Sequence, residues 1–160
     1  MFHFIIAINN EGKPLIQKWF EPYSEKEKKM YLRDIWATMA TRDASECNIL
    51  EYKDFKVVYG KYSTVFFVCS ISKNDNELIS ISIIDRLVRT LSHLIPKICE
   101  LTLEENFRTV HHLIDEMFCA GELQESSLRL ISDTVFNQDM LEFEEVKGKN
   151  VEDQDIRNIY

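Results

Sequence analysis

"FHFIIAI" (2–8) is almost continuously apolar. A strand with one wet face alternates, so this run predicts a strand covered on both sides. "NNEGK" follows, turn chemistry in which Gly12 supplies positive φ. "LIQKWF" (15–20) then reads as a second strand pairing back on the first. In "SEKEKKMYLRDIWATMA" the spacing becomes helical. Ser24 and Glu27 make a capping box, and Met30, Leu32, Ile35, Trp36 and Met39 recur along one side. Three strands come next: "CNILEY" (47–52), "FKVVYGKY" (55–62) and "TVFFVCSIS" (64–72). Their links are so short that they must be antiparallel neighbours.

"LISISIIDRLVRTLSHLI" (78–95) is rich in β-branched residues but too long for a strand. Ile79, Ile83, Leu87, Leu91 and Leu94 predict a helix ended by Pro96. Thr102 and Glu105 form a second capping box for a helix running to Cys119 and stopped by Gly121. A last helix is expected over 124–135, and 141–160 reads as an acidic, mobile tail beyond a domain of residues 1–140. The order ββαβββααα gathers strands together with helices covering them, an α+β layered domain. It lacks the regular βαβ alternation of a nucleotide-binding fold.

Composition narrows the partners. The chain has 160 residues, enough for one well-packed core. Its 27 acidic against 19 basic side chains repel phosphate backbones, so no nucleic acid is expected. No basic n-region precedes the first apolar run, and no segment approaches membrane-spanning length. Cys47, Cys69, Cys99 and Cys119 form no CxxC pair and read as buried, reduced thiols of a cytosolic protein.

"FRTVHHLIDEMFCAGELQES" (107–126) carries the densest candidate chemistry. Its helical wheel puts Phe107, Val110, Ile114, Met117 and Phe118 in one core-facing stripe, with His111 at the edge and His112 on the far side. Consecutive residues point about 100° apart, so the two histidines do not share a face as metal ligands in H-E-x-x-H do. The alternative is a pair of i,i+4 contacts, His111–Asp115 and His112–Glu116. Cys119 and His111 could form a nucleophilic pair, but Cys119 closes an apolar stripe and reads as an inert thiol. There is no Gly-rich phosphate loop, and no catalytic residue, metal or cofactor is assigned. The chain carries 10 Phe, 6 Tyr and 2 Trp. Either the core is full, or part of this apolar surface packs on another protein.

"NNEGKPLIQKWF", "RDASECNILEYKDFKVVYGKY", "DNELISISIIDRLV", "ICELTLEENF" and "LIDEMFCAGELQE" resemble, in order and spacing, the small (sigma) subunits of heterotetrameric clathrin-adaptor complexes. The resemblance runs from Met1 to about Ser127. It implies a longin-like fold, a five-stranded, mainly antiparallel sheet with helices on both faces. It implies a non-enzymatic subunit in vesicle-mediated protein transport, held directly by a large adaptin chain beside a medium chain and a second large chain. Such a protein is cytoplasmic, reaching Golgi/endosomal or plasma-membrane coated vesicles through its complex alone. A coatomer-type small coat subunit and a free-standing longin-type regulatory domain are the rival readings.

Some family members help to read cargo signals in which Asp or Glu is followed, four residues on, by Leu and then Leu or Ile. Positions matching the leucine pocket are Ser63, Val65, Val88, Ile98, Leu101 and Leu103, with Lys97 on the rim. The acid-reading side departs from the family: Leu15 stands where arginine is typical, and Gly60 where a basic residue is usual. The resemblance therefore leaves Lys13, Lys61 or the large chain to meet the acid. "DNELI" and the long C-terminus lean to the Golgi/endosomal type, "DEMFCAGE" to the plasma-membrane type.

Overall fold

The computed structural model describes residues 1–42 and 47–157, the part from 145 onward as backbone only. Residues 43–46, within the "RDASEC" similarity, and 158–160 of the expected tail lie outside the described residues. Strands β1 (Phe2–Asn9), β2 (Pro14–Trp19), β3 (Ile49–Tyr52), β4 (Phe55–Tyr62) and β5 (Val65–Ser72) form one sheet in the order β2-β1-β5-β4-β3. Every pairing in it is antiparallel. β1 lies between β2 and β5, and core layers on both faces of the sheet explain its unbroken apolar run. Phe4, Ile6 and Ile8 enter one core layer, while Phe2, Ile5 and Ala7 enter the other.

Helix α1 (Glu25–Ala40) covers the first layer. Its predicted capping box is present: Ser24 donates its backbone N–H to Glu27 Oε2 at 2.8 Å, and the Glu27 N–H donates to Ser24 Oγ at 3.3 Å. α2 (Glu77–Leu94), α3 (Glu100–Glu105), α4 (Phe107–Met117) and α5 (Leu128–Arg157) cover the second layer. The fold is thus the expected α+β arrangement, a five-stranded antiparallel sheet between helices.

Several local expectations are corrected. The helix predicted from 102 to 119 starts a turn earlier and breaks at Asn106 (φ −107°, ψ 29°). Thr102 caps α3 by accepting the Cys99 N–H at 3.1 Å, so Thr102 and Glu105 are not an entry box. Gly121 does not stop a helix. Ala120 (φ 49°) and Gly121 (φ 83°) form the two-residue turn of a hairpin between β6 (Phe118–Cys119) and β7 (Glu122–Leu123). Positive φ at both positions matches the twist of such hairpins. A Cβ on Gly121 would sit 2.1 Å from the Phe2 carbonyl oxygen.

α2 turns Ile84, Leu87, Val88 and Leu91 inward, leaving Ile79 59 % exposed. The helix is apolar on more than one side, so its sequence did not fix the phase. In α4, Leu113 joins Val110, Ile114 and Met117 inside, while Phe107 is half exposed. α5 begins at Leu128 rather than 124 and continues as helix through the expected tail to Arg157. Of the thiols, all free, Cys69 is buried, Cys99 half-buried and Cys47 and Cys119 exposed. Cys119 is exposed because it borders the hairpin turn.

Candidate functional site

The turn after β1 is built by one side chain. Asn9 is 3 % exposed, and its Oδ1 accepts the N–H groups of Glu11 at 3.0 Å and Lys13 at 2.8 Å. Its Nδ2 donates to Glu100 Oε1 of α3 at 2.9 Å. Gly12 closes the turn at φ +86°, with the Trp36 indole where a Cβ would lie. Lys13 then donates from Nζ to Glu104 Oε1 at 2.8 Å, a second link from this turn to α3. Its ammonium pKa is raised by the Glu104 hydrogen bond and charge, with smaller contributions from Glu100 and Glu11.

Four of the sequence-derived leucine-pocket positions meet behind α3. Val65, Val88, Ile98 and Leu103 belong to one buried cluster. Leu101 is 62 % exposed, and Lys97 and Ser63 are exposed around that cluster. Ser63 turns β4 into β5 at φ 58°. Leu15, at the arginine position, packs its half-buried side chain on the same cluster. A Cβ on Gly60 would meet the Tyr62 ring at 2.8 Å. Tyr62 therefore fills the space above Gly60, its hydroxyl 3.4 Å from Asp85 of α2. Burial, then the Asp85 charge, pushes the Tyr62 pKa up.

Lys61 is placed apart from this group. Side chains alternate along β4, and the Lys61 ammonium lies 5.1 Å from the Phe66 ring centroid on the α1 side of the sheet. There it lines a cavity of about 420 Å³ with Met39, Tyr59 and Phe66. The structure thus brings Lys13 to the α3 side and Lys61 to the other.

Of the expected i,i+4 pairs, Asp115 acts on His111 through its charge, but no hydrogen bond or close ion pair joins His111 to Asp115 or His112 to Glu116. Asp115 pairs with Lys18 of β2. His112 turns to α5, with Nδ1 3.3 Å from Asp139 and Nε2 3.6 Å from Glu142. Half-buried His111 has its pKa lowered by burial first and by the Lys18 charge second. Among the described residues no group of three or more His, Cys, Asp or Glu is arranged to hold a metal ion. No helix of the described residues is long and apolar enough to cross a membrane.

Sequence reasoning missed Asn9, Glu100 and Glu104. "NNEGK" signals an Asn-ordered turn, but its partners lie 91 residues away.

The sheet order and flanking helices define a longin-like domain. A chain of a structure described as a homology model of the full-length AP-3 complex, in a stretched open conformation, shares this fold. It superposes with a TM-score of 0.71 at 20 % identity, covering 93 % of this chain and 99 % of the other. The family model "Clathrin adaptor complex small chain" matches residues 1–142, and the chain belongs to that family. Curated relatives include AP-1 complex subunits. Subunit sigma-2 of Dictyostelium discoideum is 36 % identical over 140 residues, 88 % of this chain and 91 % of its own length. Subunit sigma-1 of Schizosaccharomyces pombe is 40 % identical, covering 78 % and 76 % respectively. Human subunit sigma-1A is 32 % identical, covering 94 % and 96 %.

Proposed function

We propose that this chain is a non-enzymatic small subunit of an AP-1-like clathrin adaptor, seated against a large adaptin chain in a heterotetramer with a medium and a second large chain. One observation carries the reading. Among the described residues ten large hydrophobic side chains are exposed, and nine of them lie on α2, α3, α4 and α5: Leu78 and Ile79, Leu101, Phe107, then Leu130, Phe136, Met140, Leu141 and Phe143. None lies on α1. A one-sided apolar surface of this kind fits a permanent partner rather than water. The names of the matching relatives support the AP-1 type, and "DNELI" with the extended α5 supports service on Golgi/endosomal rather than plasma-membrane coated vesicles.

The same reading gives the chain a share in dileucine recognition. Val65, Val88, Ile98 and Leu103 supply apolar walls, Ser63, Leu101 and Lys97 the edge, and Lys13 the cation on the α3 side. Lys61, on the α1 side, would have to reach around the sheet edge. The walls are closely packed in this free chain, so these side chains must part to admit two leucines. Burying them contributes about 1.5–3 kcal/mol each before the cost of that movement.

Affinity purification of the tagged chain from its own cells, with identification of the co-purifying chains, tests the assembly. Two large chains and one medium chain in equal amounts are the expected result. Recovery of coatomer chains, or of the folded chain alone, would move the assignment to a rival reading.

A further inference from the structure

Lys13 is held in place before any signal arrives. Asn9 fixes its backbone with a 2.8 Å bond, and Glu104 takes its ammonium at 2.8 Å. Glu100, bonded to Asn9 at 2.9 Å, and Glu11, on the same turn, bring further negative charge to this corner. Leu15, packed into the core cluster, supplies no second cation from β2. Lys61 faces the α1 side.

We propose that Glu104 is the specificity-determining residue of the cargo site: its carboxylate stands where the acid of a dileucine signal would bind, so the chain takes dileucine peptides without regard to an upstream acid. This rests on the dileucine reading given above. The chemistry is competition for one ammonium. A signal carboxylate must displace Glu104 and then sit beside Glu100 and Glu11, so it gains nothing over an uncharged amide at the same place. The ion pair is solvent-accessible, with side chains 60 % and 45 % exposed. Such pairs have modest strength, so the selectivity stored in Glu104 is modest too.

Two synthetic peptides test this, identical except for Glu or Gln four residues before the first leucine. Their binding to the assembled adaptor complex is measured at low ionic strength. The wild-type complex should bind both equally or prefer the Gln form. With Glu104→Gln the Glu peptide should gain about two- to fivefold over the Gln peptide, the range of an exposed ion pair. Adding Lys13→Met to Glu104→Gln should remove that gain, which places the effect on the lysine. A wild-type preference for the Glu peptide, or an equal gain by both peptides in Glu104→Gln, overturns the proposal and leaves the dileucine reading standing. If neither peptide binds any of the three complexes, the dileucine reading itself fails and the proposal with it.

Discussion

On the α1 side of the sheet, Trp19, Tyr23, Tyr31 and Phe55 meet edge to face in succession, with ring centroids 5.5, 5.4 and 5.5 Å apart. On the other side the layer is mainly aliphatic, built from residues such as Ile5, Leu91, Leu103 and Leu113 under four helices, with Phe2, Phe67 and Phe118 among them. The aromatic side completes itself. Tyr23 and Tyr52 donate their hydroxyls to Glu21 at 2.7 Å and Asp34 at 2.9 Å, and Lys28 and Lys53 lie over neighbouring rings. Rings with a polar tip can end a core at water. The mainly aliphatic side has one such finish, the Tyr62 hydroxyl 3.4 Å from Asp85, and its helices carry apolar residues on their outer surfaces as well as their inner ones. On the proposed reading, the layer closed by four helices is the one that offers a face to a partner.

Truncation inside each layer should give the largest effects. Phe4 is fully buried between Trp19 and Phe55, with centroids 4.7 and 5.9 Å away, so Phe4→Ala should cost about 3–5 kcal/mol. Leu91→Ala in the aliphatic layer should cost about 2–5 kcal/mol. Denaturant unfolding measures both. A loss below about 1 kcal/mol at Phe4 would show that the aromatic layer is not a packed core.

The outer surfaces should respond in opposite ways. Phe136→Asp with Leu141→Asp on α5 should weaken association with the large chain about tenfold or more, because buried apolar anchors dominate such interfaces. Ala37→Asp, on the exposed side of α1, should leave association within about twofold. Titration of the large chain against each variant reads this directly. Equal loss from both helices would erase the distinction between the two faces.

What local pattern controls was legible. β4 spans 55–62 as expected from "FKVVYGKY", and Ser24 caps α1 as the S-x-x-E spacing predicts. The elements that were missed depend on partners distant in sequence. Beyond Val135 the inner side of α5 is polar: Asp139 accepts from Thr109 at 3.1 Å and faces His112, while Glu142 lies 3.9 Å from Arg108. Hydrophobic periodicity cannot register a helix docked in that way, so 124–135 was too short an expectation. The Lys13–Glu104 pair was out of reach for the same reason. The apolar positions of the proposed site came from the family resemblance, and four of them, Val65, Val88, Ile98 and Leu103, are core positions in the fold.

Gly12 joins the two faces, since the turn that presents Lys13 to α3 rests on Trp36 of α1. Gly12→Ala should cost about 1–2 kcal/mol for the left-handed backbone alone, before the indole moves aside. The drop in melting temperature should come with faster hydrogen exchange at both Lys13 and the Trp36 turn of α1. Loss of protection on one side only would mean that the turn does not couple them.

The smallest effect concerns pH and the aliphatic side. His111 is half-buried on α4, and burial and then Lys18 lower its pKa, while Asp115 acts weakly the other way and His112 adds a little to the lowering. The unfolded imidazole takes a proton near pH 6.5, the folded one only below that. Between those two values the unfolded chain binds more protons, so stability falls as pH falls. Above pH 6.5 both states are neutral and the penalty is absent. Unfolding measured from pH 7.5 down to 5 should therefore show a decline that His111→Asn makes shallower, with His112 kept intact for its contacts to α5. On the α1 side His3 packs beside Phe55, with ring centroids 6.0 Å apart, so the His111→Asn variant is what isolates the effect. The part of the decline due to His111 should appear first in exchange of the α4 amides, and uniform loosening of α1 and α4 together would place its origin outside His111.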